Sequence, residues 1–189
     1  MGKQYGFYIR TDRCVQCHAC ELACKSSNEI ERGLRWREVR NLWCGEFPDI
    51  SNRSISFACA HCESPACAEV CPEGAISKRS EDGIVVVDAE KCVGCRTCGT
   101  ACPFQVPRYG GNGRMQKCDM CLERINRGIE PLCVETCPGE ALKFGDLDDL
   151  IQESIFRSAF RLAASTDPSV LISGNWTSAE VMKLFESCR

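Results

Sequence analysis

The stretch Cys92-Val-Gly-Cys95-Arg-Thr-Cys98-Gly-Thr-Ala-Cys102-Pro103 decides the fold of this chain. Its four cysteines are separated by two, two and three residues, and a proline follows the last of them. Three thiolates on so tight a loop can bind three corners of a [4Fe-4S] cubane, while the fourth points away toward a second cluster. Gly94 and Gly99 suit a backbone that curls closely around a bulky ion. The motif therefore predicts a pair of iron-sulfur clusters.

Three further groups of cysteines repeat this pattern with variations. In sequence order the first group is Cys14, Cys17, Cys20 and Cys24, the second Cys59, Cys62, Cys67 and Cys71, the third Cys92, Cys95, Cys98 and Cys102, and the fourth Cys118, Cys121, Cys133 and Cys137. The first group keeps the same gaps but has Lys25 where a proline would follow, and the second and fourth groups have longer middle gaps. Sixteen thiols in four groups of four predict four [4Fe-4S] clusters as cofactors, with these cysteines as the iron ligands.

Composition agrees with a metal-stapled protein. The chain has 189 residues, of which 18 are Cys and only 7% are aromatic. Inorganic cross-links are therefore expected to supply much of the folding free energy, and the metal-free chain is expected to be largely unfolded. The formal net charge is −3, and thiolate-bound clusters add further negative charge, so nucleic acid is not an expected partner.

The sequence has neither an apolar secretory signal at its start nor an uninterrupted apolar run of transmembrane length. We therefore expect no direct membrane span and no export signal. The expected location is cytoplasmic or membrane-associated.

Internal repetition indicates which groups share clusters, because the fourth cysteines of a two-cluster ferredoxin unit cross over. The second and third groups fit one such unit, and the first and fourth groups fit another around it. The predicted cluster 1 is held by Cys14, Cys17, Cys20 and Cys137, cluster 2 by Cys118, Cys121, Cys133 and Cys24, cluster 3 by Cys92, Cys95, Cys98 and Cys71, and cluster 4 by Cys59, Cys62, Cys67 and Cys102.

The predicted fold class is α+β, with two nested bacterial-ferredoxin-like units, an inserted loop region and C-terminal helices. The outer unit comprises residues 1–24 and 108–145, the insertion 25–53, the inner unit 54–107, and a helical docking extension 146–189. Within the outer unit, Tyr5 to Arg10 is predicted to pair with Ala141 to Phe144. Within the inner unit, Glu73 to Ile76 is predicted as a short helical turn, and Asp82-Gly83 as the turn of a hairpin.

The two remaining segments have weaker patterns. Residues 25 to 57 are rich in arginine and aromatic residues, which indicates either an extended insertion laid across another surface or a solvated hairpin. After Gly145 apolar residues recur at helical spacing behind Asp146, and Thr177-Ser-Ala-Glu180 has the form of a capping box. These helices are expected to dock on the protein's own core or on a partner.

Disulfides and zinc are the competing interpretations of so many cysteines. Cys-x2-Cys repeats without a signal peptide favour metal over disulfides. Zinc fits the fourth group best, but three or four cysteines within eleven residues cannot easily surround one small tetrahedral ion.

Several residues outside the ligand positions have simpler predicted roles. Cys44 and Cys188 are expected to be ordinary thiols, and His18 and His61 to be solvated turn residues. Lys25, Arg96 and Lys117 are expected to be screened surface charges. No Ser-His-Asp set, nucleotide-binding glycine loop or carboxylate pair is present, so no catalytic residue is predicted and the protein is expected to be non-catalytic on its own.

With the four groups in place, the sequence resembles the electron-transfer B subunit of dimethyl sulfoxide reductase and its relatives, the four-cluster partners of molybdopterin oxidoreductases. The resemblance covers about residues 3 to 145. Its most specific parts are Gln4-Tyr-Gly-Phe, Cys20-Glu-Leu-Ala-Cys24-Lys25, Cys59-Ala-His-Cys-Glu-Ser-Pro-Ala-Cys67 and Pro131-Leu-Cys133-Val-Glu-Thr-Cys137-Pro138.

This resemblance implies a linear electron relay between a molybdopterin (Mo or W) catalytic subunit and a separate membrane anchor that exchanges electrons with quinone. It implies the cluster order first group, fourth, third and second, starting at the catalytic subunit. A periplasmic location is possible by co-export with a signal-bearing partner. The alternative function is an iron-sulfur accessory subunit of a soluble formate dehydrogenase, hydrogenase or transhydroxylase-type complex, and a zinc-stapled scaffold is a remote third.

Overall fold

The first strand, β1 (Tyr5–Arg10), lies inside the main sheet of the molecule. In the computed structural model, which describes residues 2–186, this sheet has four strands. β1 pairs antiparallel with β8 (Leu142–Asp146) and parallel with β10 (Val170–Ser173), and β9 (Phe160–Arg161) forms the edge beside β10. The predicted pairing of β1 with the segment after the fourth group is confirmed.

The segment after Gly145 returns to this sheet, so the prediction of helices alone over 146–189 is wrong. α6 (Leu147–Ser154) begins behind Asp146, whose carboxylate accepts a hydrogen bond from the Asp148 amide at 3.1 Å, as its pattern predicted. β9 and β10 follow, and then α7 (Ser178–Glu186). All four residues of β10 are buried, which shows that the extension docks on the protein's own core.

The capping box predicted at the start of α7 is present. The Thr177 hydroxyl accepts from the Glu180 amide at 3.2 Å, and the Glu180 carboxylate accepts from the Thr177 amide at 2.8 Å. α7 carries Phe185, whose ring centroid lies 4.7 Å from that of Phe57 and 5.6 Å from that of Phe104. The helix therefore closes over an aromatic core beside the second and third cysteine groups.

The insertion is a hairpin of β2 (Glu38–Cys44) and β3 (Ser51–Phe57). Its register runs from Glu38 opposite Phe57 to Cys44 opposite Ser51. β3 crosses the predicted boundary between residues 53 and 54, because one continuous strand serves both the insertion and the approach to the second group. Its last residues are buried, whereas Phe47 at the tip is 89% exposed.

The second and third groups are separated by a small hairpin of β4 (Ile76–Lys78) and β5 (Val85–Val87). The predicted turn is confirmed, since Gly83 has a φ of +71° and the Asp82 carboxylate accepts from the Ile84 amide. The predicted helical turn from Glu73 to Ile76 is wrong. The helix of this region is α2 (Ala66–Glu69), upstream of Cys71, and the proline after Cys71 begins an irregular turn that leads into β4.

The other cysteine groups carry short helices too. α1 (Ala19–Ser27), α3 (Thr97–Ala101), α4 (Leu122–Asn126) and α5 (Leu132–Glu135) fill the spaces between ligand positions, and β6 (Arg108–Tyr109) pairs with β7 (Met115–Gln116). α1 packs against α5, and α2 packs against α3. Helices of the first and fourth groups thus meet, as do those of the second and third.

Candidate metal centres

Two of the four predicted cysteine sets line recesses that open to the surface. Cys14, Cys17, Cys20 and Cys137 line a recess of about 330 Å³, counted with its opening. Cys71, Cys92, Cys95 and Cys98 line a second one of about 350 Å³. In each recess three cysteines come from one group, and the fourth comes from a group far along the sequence.

The fourth-group set is brought together in the interior. Burial, and then the neighbouring Cys133 and Cys121, raise the pKa of Cys24 to about 12, against the lowering effect of Arg37. Burial and Cys24 likewise raise the pKa of Cys118. Cys24, at the end of the first group, therefore lies close to thiols of the fourth group.

Cys102 crosses over in the same manner to the second group. Burial raises the pKa of Cys62 to about 11 and that of Cys67 to about 12, and in both cases Cys59 and Cys102 add to the shift. These positions support the four sets predicted from the repeats; both the sets and the role of their cysteines as iron ligands remain predictions.

The backbone curls in the same way in the first Cys-x2-Cys loop of each of the four groups. In each loop the second intervening residue has a positive φ, namely Gln16 (57°), His61 (42°), Gly94 (72°) and Met120 (61°). Such a turn directs successive amide N–H groups into one concavity that suits an anion. The amide of Met120, for example, donates to Cys118 Sγ at 3.4 Å. Sequence reasoning identified only the glycine, because the other three residue types do not signal this conformation.

The Cys-Pro ends of the second and fourth groups share a turn that brings a backbone amide back to the sulfur. Three residues after Cys71 and Cys137 the backbone again has a positive φ, 58° at Gly74 and 49° at Glu140. The next amide then donates back to the cysteine, from Ala75 to Cys71 Sγ at 3.3 Å and from Ala141 to Cys137 Sγ at 3.2 Å. Hydrogen bonds of this kind are among the factors that set the potential of a bound cluster.

The first group departs from this device because no proline follows Cys24. Helix α1 runs on through Cys24 to Ser27. Asn28 then lies at the position of the donating amides, with its side-chain Nδ2 at 3.8 Å from Cys24 Sγ and at 2.8 Å from the Cys24 carbonyl oxygen. A side-chain amide therefore occupies the place where the other groups use the backbone.

Side-chain hydroxyls also approach the sulfur atoms. The Tyr109 hydroxyl lies 3.4 Å from Cys98 Sγ, the Ser56 hydroxyl 3.2 Å from Cys20 Sγ, and Thr97 donates to Cys95 Sγ at 3.5 Å. Sequence patterns identify neither Tyr109 nor Ser56, because both lie outside the cysteine motifs and reach them only through the fold.

The two histidines differ from each other. His18 is half-exposed and lies 3.1 Å from the Glu21 carboxylate, as expected of a turn residue. His61 is fully buried, its Nδ1 accepts from the Val85 amide at 3.0 Å, and burial lowers its pKa well below the usual value. The prediction of a solvated turn residue is therefore wrong for His61.

The residues predicted to be surface charges lie in different environments. Lys117 is only 4% exposed and donates to the carbonyl oxygens of Val85 and Cys118, so the prediction of a screened charge is wrong there. Arg96 lies over the ring of Tyr109. Cys44 lies outside all four sets, and its Sγ accepts a hydrogen bond from Arg53 Nη2 at 3.5 Å. Cys188 lies outside the described residues.

The donor set fits an anionic, thiolate-bound cluster. Each predicted set offers four thiols, and in each of them at least one sulfur accepts a hydrogen bond from a backbone amide. The guanidinium of Arg37 is buried among cysteines, and its Nε and Nη2 have no hydrogen-bond partner within residues 2–186. A cubane matches this arrangement, since each cysteine binds its own iron at a separate corner.

The described residues contain neither a site for a single metal ion nor a membrane-spanning helix. In that part of the molecule no three His, Cys, Asp or Glu side chains are arranged to hold one metal ion in common. No helix within residues 2–186 has the length and apolar character needed to cross a bilayer.

The sets follow one another in an order that differs from the one implied by the resemblance. Cys118 of the fourth group interacts electrostatically with Cys59 of the second. Cys67 of the second group packs against the buried cluster that contains Cys98 of the third. The second-group set therefore lies between the other two, and the implied order, with the third-group set next to the fourth, is wrong.

Comparison with known proteins agrees with these centres. Residues 52–147 match the family described as a 4Fe-4S dicluster domain. The B subunit of anaerobic dimethyl sulfoxide reductase from Escherichia coli (strain K12) is 44% identical over 162 residues, which cover 79% of this protein and 77% of that subunit.

Two further relatives extend the similarity over more of the sequence. The probable anaerobic dimethyl sulfoxide reductase subunit YnfG of Escherichia coli (strain K12) is 40% identical over 190 residues, covering 93% of this protein and 91% of that one. Protein NrfC of the same organism is 37% identical over 180 residues, covering 89% and 80%. The chain therefore belongs to the family of iron-sulfur B subunits of the dimethyl sulfoxide reductase type.

Proposed function

We propose that this protein, an iron-sulfur electron-transfer subunit without catalytic chemistry of its own, holds four [4Fe-4S] clusters and relays electrons through them. The observation that supports the proposal is that two recesses each bring three cysteines of one group together with the last cysteine of another, Cys137 in one and Cys71 in the other. A bound cluster would supply one-electron redox chemistry. The protein supplies the thiolates, the hydrogen bonds to sulfur and the spacing between centres.

The proposed ligands are those predicted from the repeats. Cluster 1 is assigned to Cys14, Cys17, Cys20 and Cys137, cluster 2 to Cys24, Cys118, Cys121 and Cys133, cluster 3 to Cys71, Cys92, Cys95 and Cys98, and cluster 4 to Cys59, Cys62, Cys67 and Cys102. The contacts between α1 and α5 and between α2 and α3 support two nested ferredoxin-like units. The packing of the sets supports the order first, fourth, second and third group along the relay.

The proposed partners follow from the names of the relatives. Similarity to a B subunit of dimethyl sulfoxide reductase implies a catalytic subunit, for which we propose a molybdopterin protein carrying molybdenum or tungsten. The other end of the relay is proposed to meet a separate membrane anchor that exchanges electrons with quinone. The subunit would then be membrane-associated through its partners, on either side of the membrane.

Metal analysis and cysteine variants test this function together. The purified protein should contain about 16 iron and about 16 acid-labile sulfide. Cys102→Ser should alter the same EPR signal as Cys59→Ser, although residue 102 belongs to the third group in sequence. Cys44→Ser is the matched control and should leave every signal unchanged.

Three results would count against the proposal. A zinc-loaded colourless protein would eliminate the relay. A Cys102→Ser spectrum that matches Cys92→Ser would disprove the crossover. Co-purification with a soluble formate dehydrogenase, hydrogenase or transhydroxylase-type enzyme, without any membrane protein, would favour the accessory-subunit alternative.

A further inference from the structure

Arg37 is a buried cation without a carboxylate partner in the described part of the molecule. It is 1% exposed, and its guanidinium lies 4.6 Å from the ring centroid of Phe7. Nη1 donates to the carbonyl oxygen of Ser56 at 3.2 Å and to its hydroxyl at 3.3 Å. A desolvated charge with so few partners costs several kcal/mol unless an anion compensates it.

The anions available to Arg37 are sulfur atoms of two different sets. Burial by itself lowers the pKa of Arg37, but the charges of Cys133, Cys118, Cys20 and Cys24 raise it overall. Cys20 belongs to the first set, whereas the other three belong to the fourth-group set. Arg37 reaches Cys20 through Ser56, Cys20 lies one turn from Cys24 on α1, and α5, which carries Cys133, packs against α1. The guanidinium therefore lies near sulfurs of both sets and is balanced when these are thiolates.

Ser56 connects Arg37 to one of these sulfurs in a defined direction. A guanidinium can only donate, so the Ser56 hydroxyl oxygen accepts from Arg37. A metal-bound thiolate carries no proton, so at the 3.2 Å contact with Cys20 the hydroxyl must donate to Sγ. Arg37 therefore fixes the orientation in which Ser56 gives its hydrogen bond to Cys20.

We propose that Arg37 is a counter-cation shared by clusters 1 and 2, which favours their reduced states through its charge and positions the Ser56 hydroxyl against Cys20. Reduction adds one electron to a cluster and no proton at Arg37, because the guanidinium stays protonated in proteins. Its effect on both potentials is then the same at any pH at which the protein is intact. This inference rests on the proposed four-cluster relay.

EPR-monitored redox titration of the cluster-loaded protein tests the proposal with four variants. Arg37→Gln removes the positive charge but still offers N–H donors. Arg37→Lys keeps the charge, and Ser56→Ala removes only the hydroxyl. Arg40→Gln is the matched control. Arg40 is three residues further on and also lies 4.6 Å from a phenylalanine ring, but it pairs with Glu38 and not with cysteines.

In Arg37→Gln we expect the reduced-to-oxidised ratio of two clusters to fall at least tenfold at fixed potential, which is about 59 mV for a one-electron couple. Arg37→Lys should restore most of this ratio. Ser56→Ala should change one cluster only, and Arg40→Gln none. If Arg37→Gln lost clusters 1 and 2 while Arg37→Lys kept them, this result would equally support the role of Arg37 as a counter-cation.

The inference is overturned if Arg37→Gln binds four clusters with unchanged ratios, if Arg40→Gln shifts them as much, or if Arg37→Gln and Arg37→Lys lose all four clusters alike. Failure of the proposed function looks different. In that case the unmodified protein itself lacks about 16 iron, whatever residue occupies position 37.

Discussion

Hydrogen bonds to sulfur give single residues control over single clusters. The Tyr109 hydroxyl lies 3.4 Å from Cys98 Sγ and 3.2 Å from the carbonyl oxygen of Arg96. Because neither a metal-bound thiolate nor a carbonyl oxygen can donate, the hydroxyl is the donor in both contacts, and its single proton is shared between Cys98 Sγ and the Arg96 carbonyl oxygen. With the proposed cluster 3 bound at Cys98, Tyr109 would therefore stabilise negative charge on it and raise its potential.

Tyr109→Phe should lower the potential of one cluster. A net hydrogen bond of roughly 1 kcal/mol corresponds to about 40 mV for a one-electron couple. Burial, and then the contact with Cys98, raise the pKa of Tyr109 above its usual value of 10.0, so the phenol stays protonated and the difference between variant and parent should be equal at about pH 6 and about pH 9. A redox titration that finds all four potentials unchanged would contradict this role.

Gly94 is required both by its conformation and by its surroundings. Its φ is +72°, and a Cβ there would lie 2.7 Å from the carbonyl oxygen of Gly113. Gly94→Ala should lower the apparent melting temperature of the cluster-loaded protein, since the left-handed conformation alone costs about 1–2 kcal/mol. Gly128→Ala is the control, because it has the same φ of +72° in open space. Equal losses in the two variants would show that the contact with Gly113 is unimportant.

At this scale the sequence predicts the sulfur ligands better than their surroundings. The spacing of the cysteines identifies the four groups, because spacing is a local property, whereas the crossover of the fourth cysteines is inferred from the repeats and stays a prediction. Gln16, His61 and Met120 adopt the same turn as Gly94 without a residue type that favours it. Arg37 and Ser56 meet Cys20 only through the hairpin, and no local pattern reports such a contact.

Among the elements, helix α7 is stabilised by the capping hydrogen bonds of its first turn. Thr177→Ala removes the N-cap hydroxyl that accepts from the Glu180 amide. The helix should open more readily by about 1 kcal/mol, a roughly fivefold increase in amide hydrogen exchange within Ser178–Glu186. Lys183→Ala on the exposed face should leave exchange unchanged. Faster exchange throughout the protein would instead indicate global destabilisation.

Elements with local signals are predicted correctly, whereas those defined by distant partners are not. The capping box identifies the start of α7, and Asp146 identifies the start of α6. Strand β10 has a run of only three apolar residues, Val170 to Ile172, and its partner β1 lies at the other end of the sequence, so periodicity alone could not separate it from a helix. The helical turn expected at Glu73 fails because Pro72 starts an irregular turn there.

For the whole molecule, the short elements indicate that metal holds the fold together. Within residues 2–186 the longest helices have nine residues, below the roughly 12–15 that an isolated helix needs, and three of the four sheets described there have two strands. Buried cysteines, among them Cys20, Cys98 and Cys133, belong to the apolar clusters of the core. Iron at these sulfurs would therefore cross-link the core itself.

Removal of iron should abolish cooperative unfolding. After oxidation and chelation we expect loss of most far-UV circular dichroism, and recovery on reconstitution with iron and sulfide. Chelator without oxidant, which leaves the clusters intact, is the control. An iron-free protein that keeps its circular dichroism and its hydrogen-exchange protection would show that the apolar core is sufficient.

The parallel pairing of β1 with β10 also constrains how the protein is made. Thr11, between β1 and Cys14, donates to the Ser173 carbonyl oxygen at 2.7 Å, so the entry to the first cysteine group is tied to this late strand. During translation Tyr5–Arg10 leaves the ribosome long before Val170–Ser173. The support beneath Cys14 is completed only after residue 173 has left the ribosome, so iron bound at the proposed first set before that point would lack it.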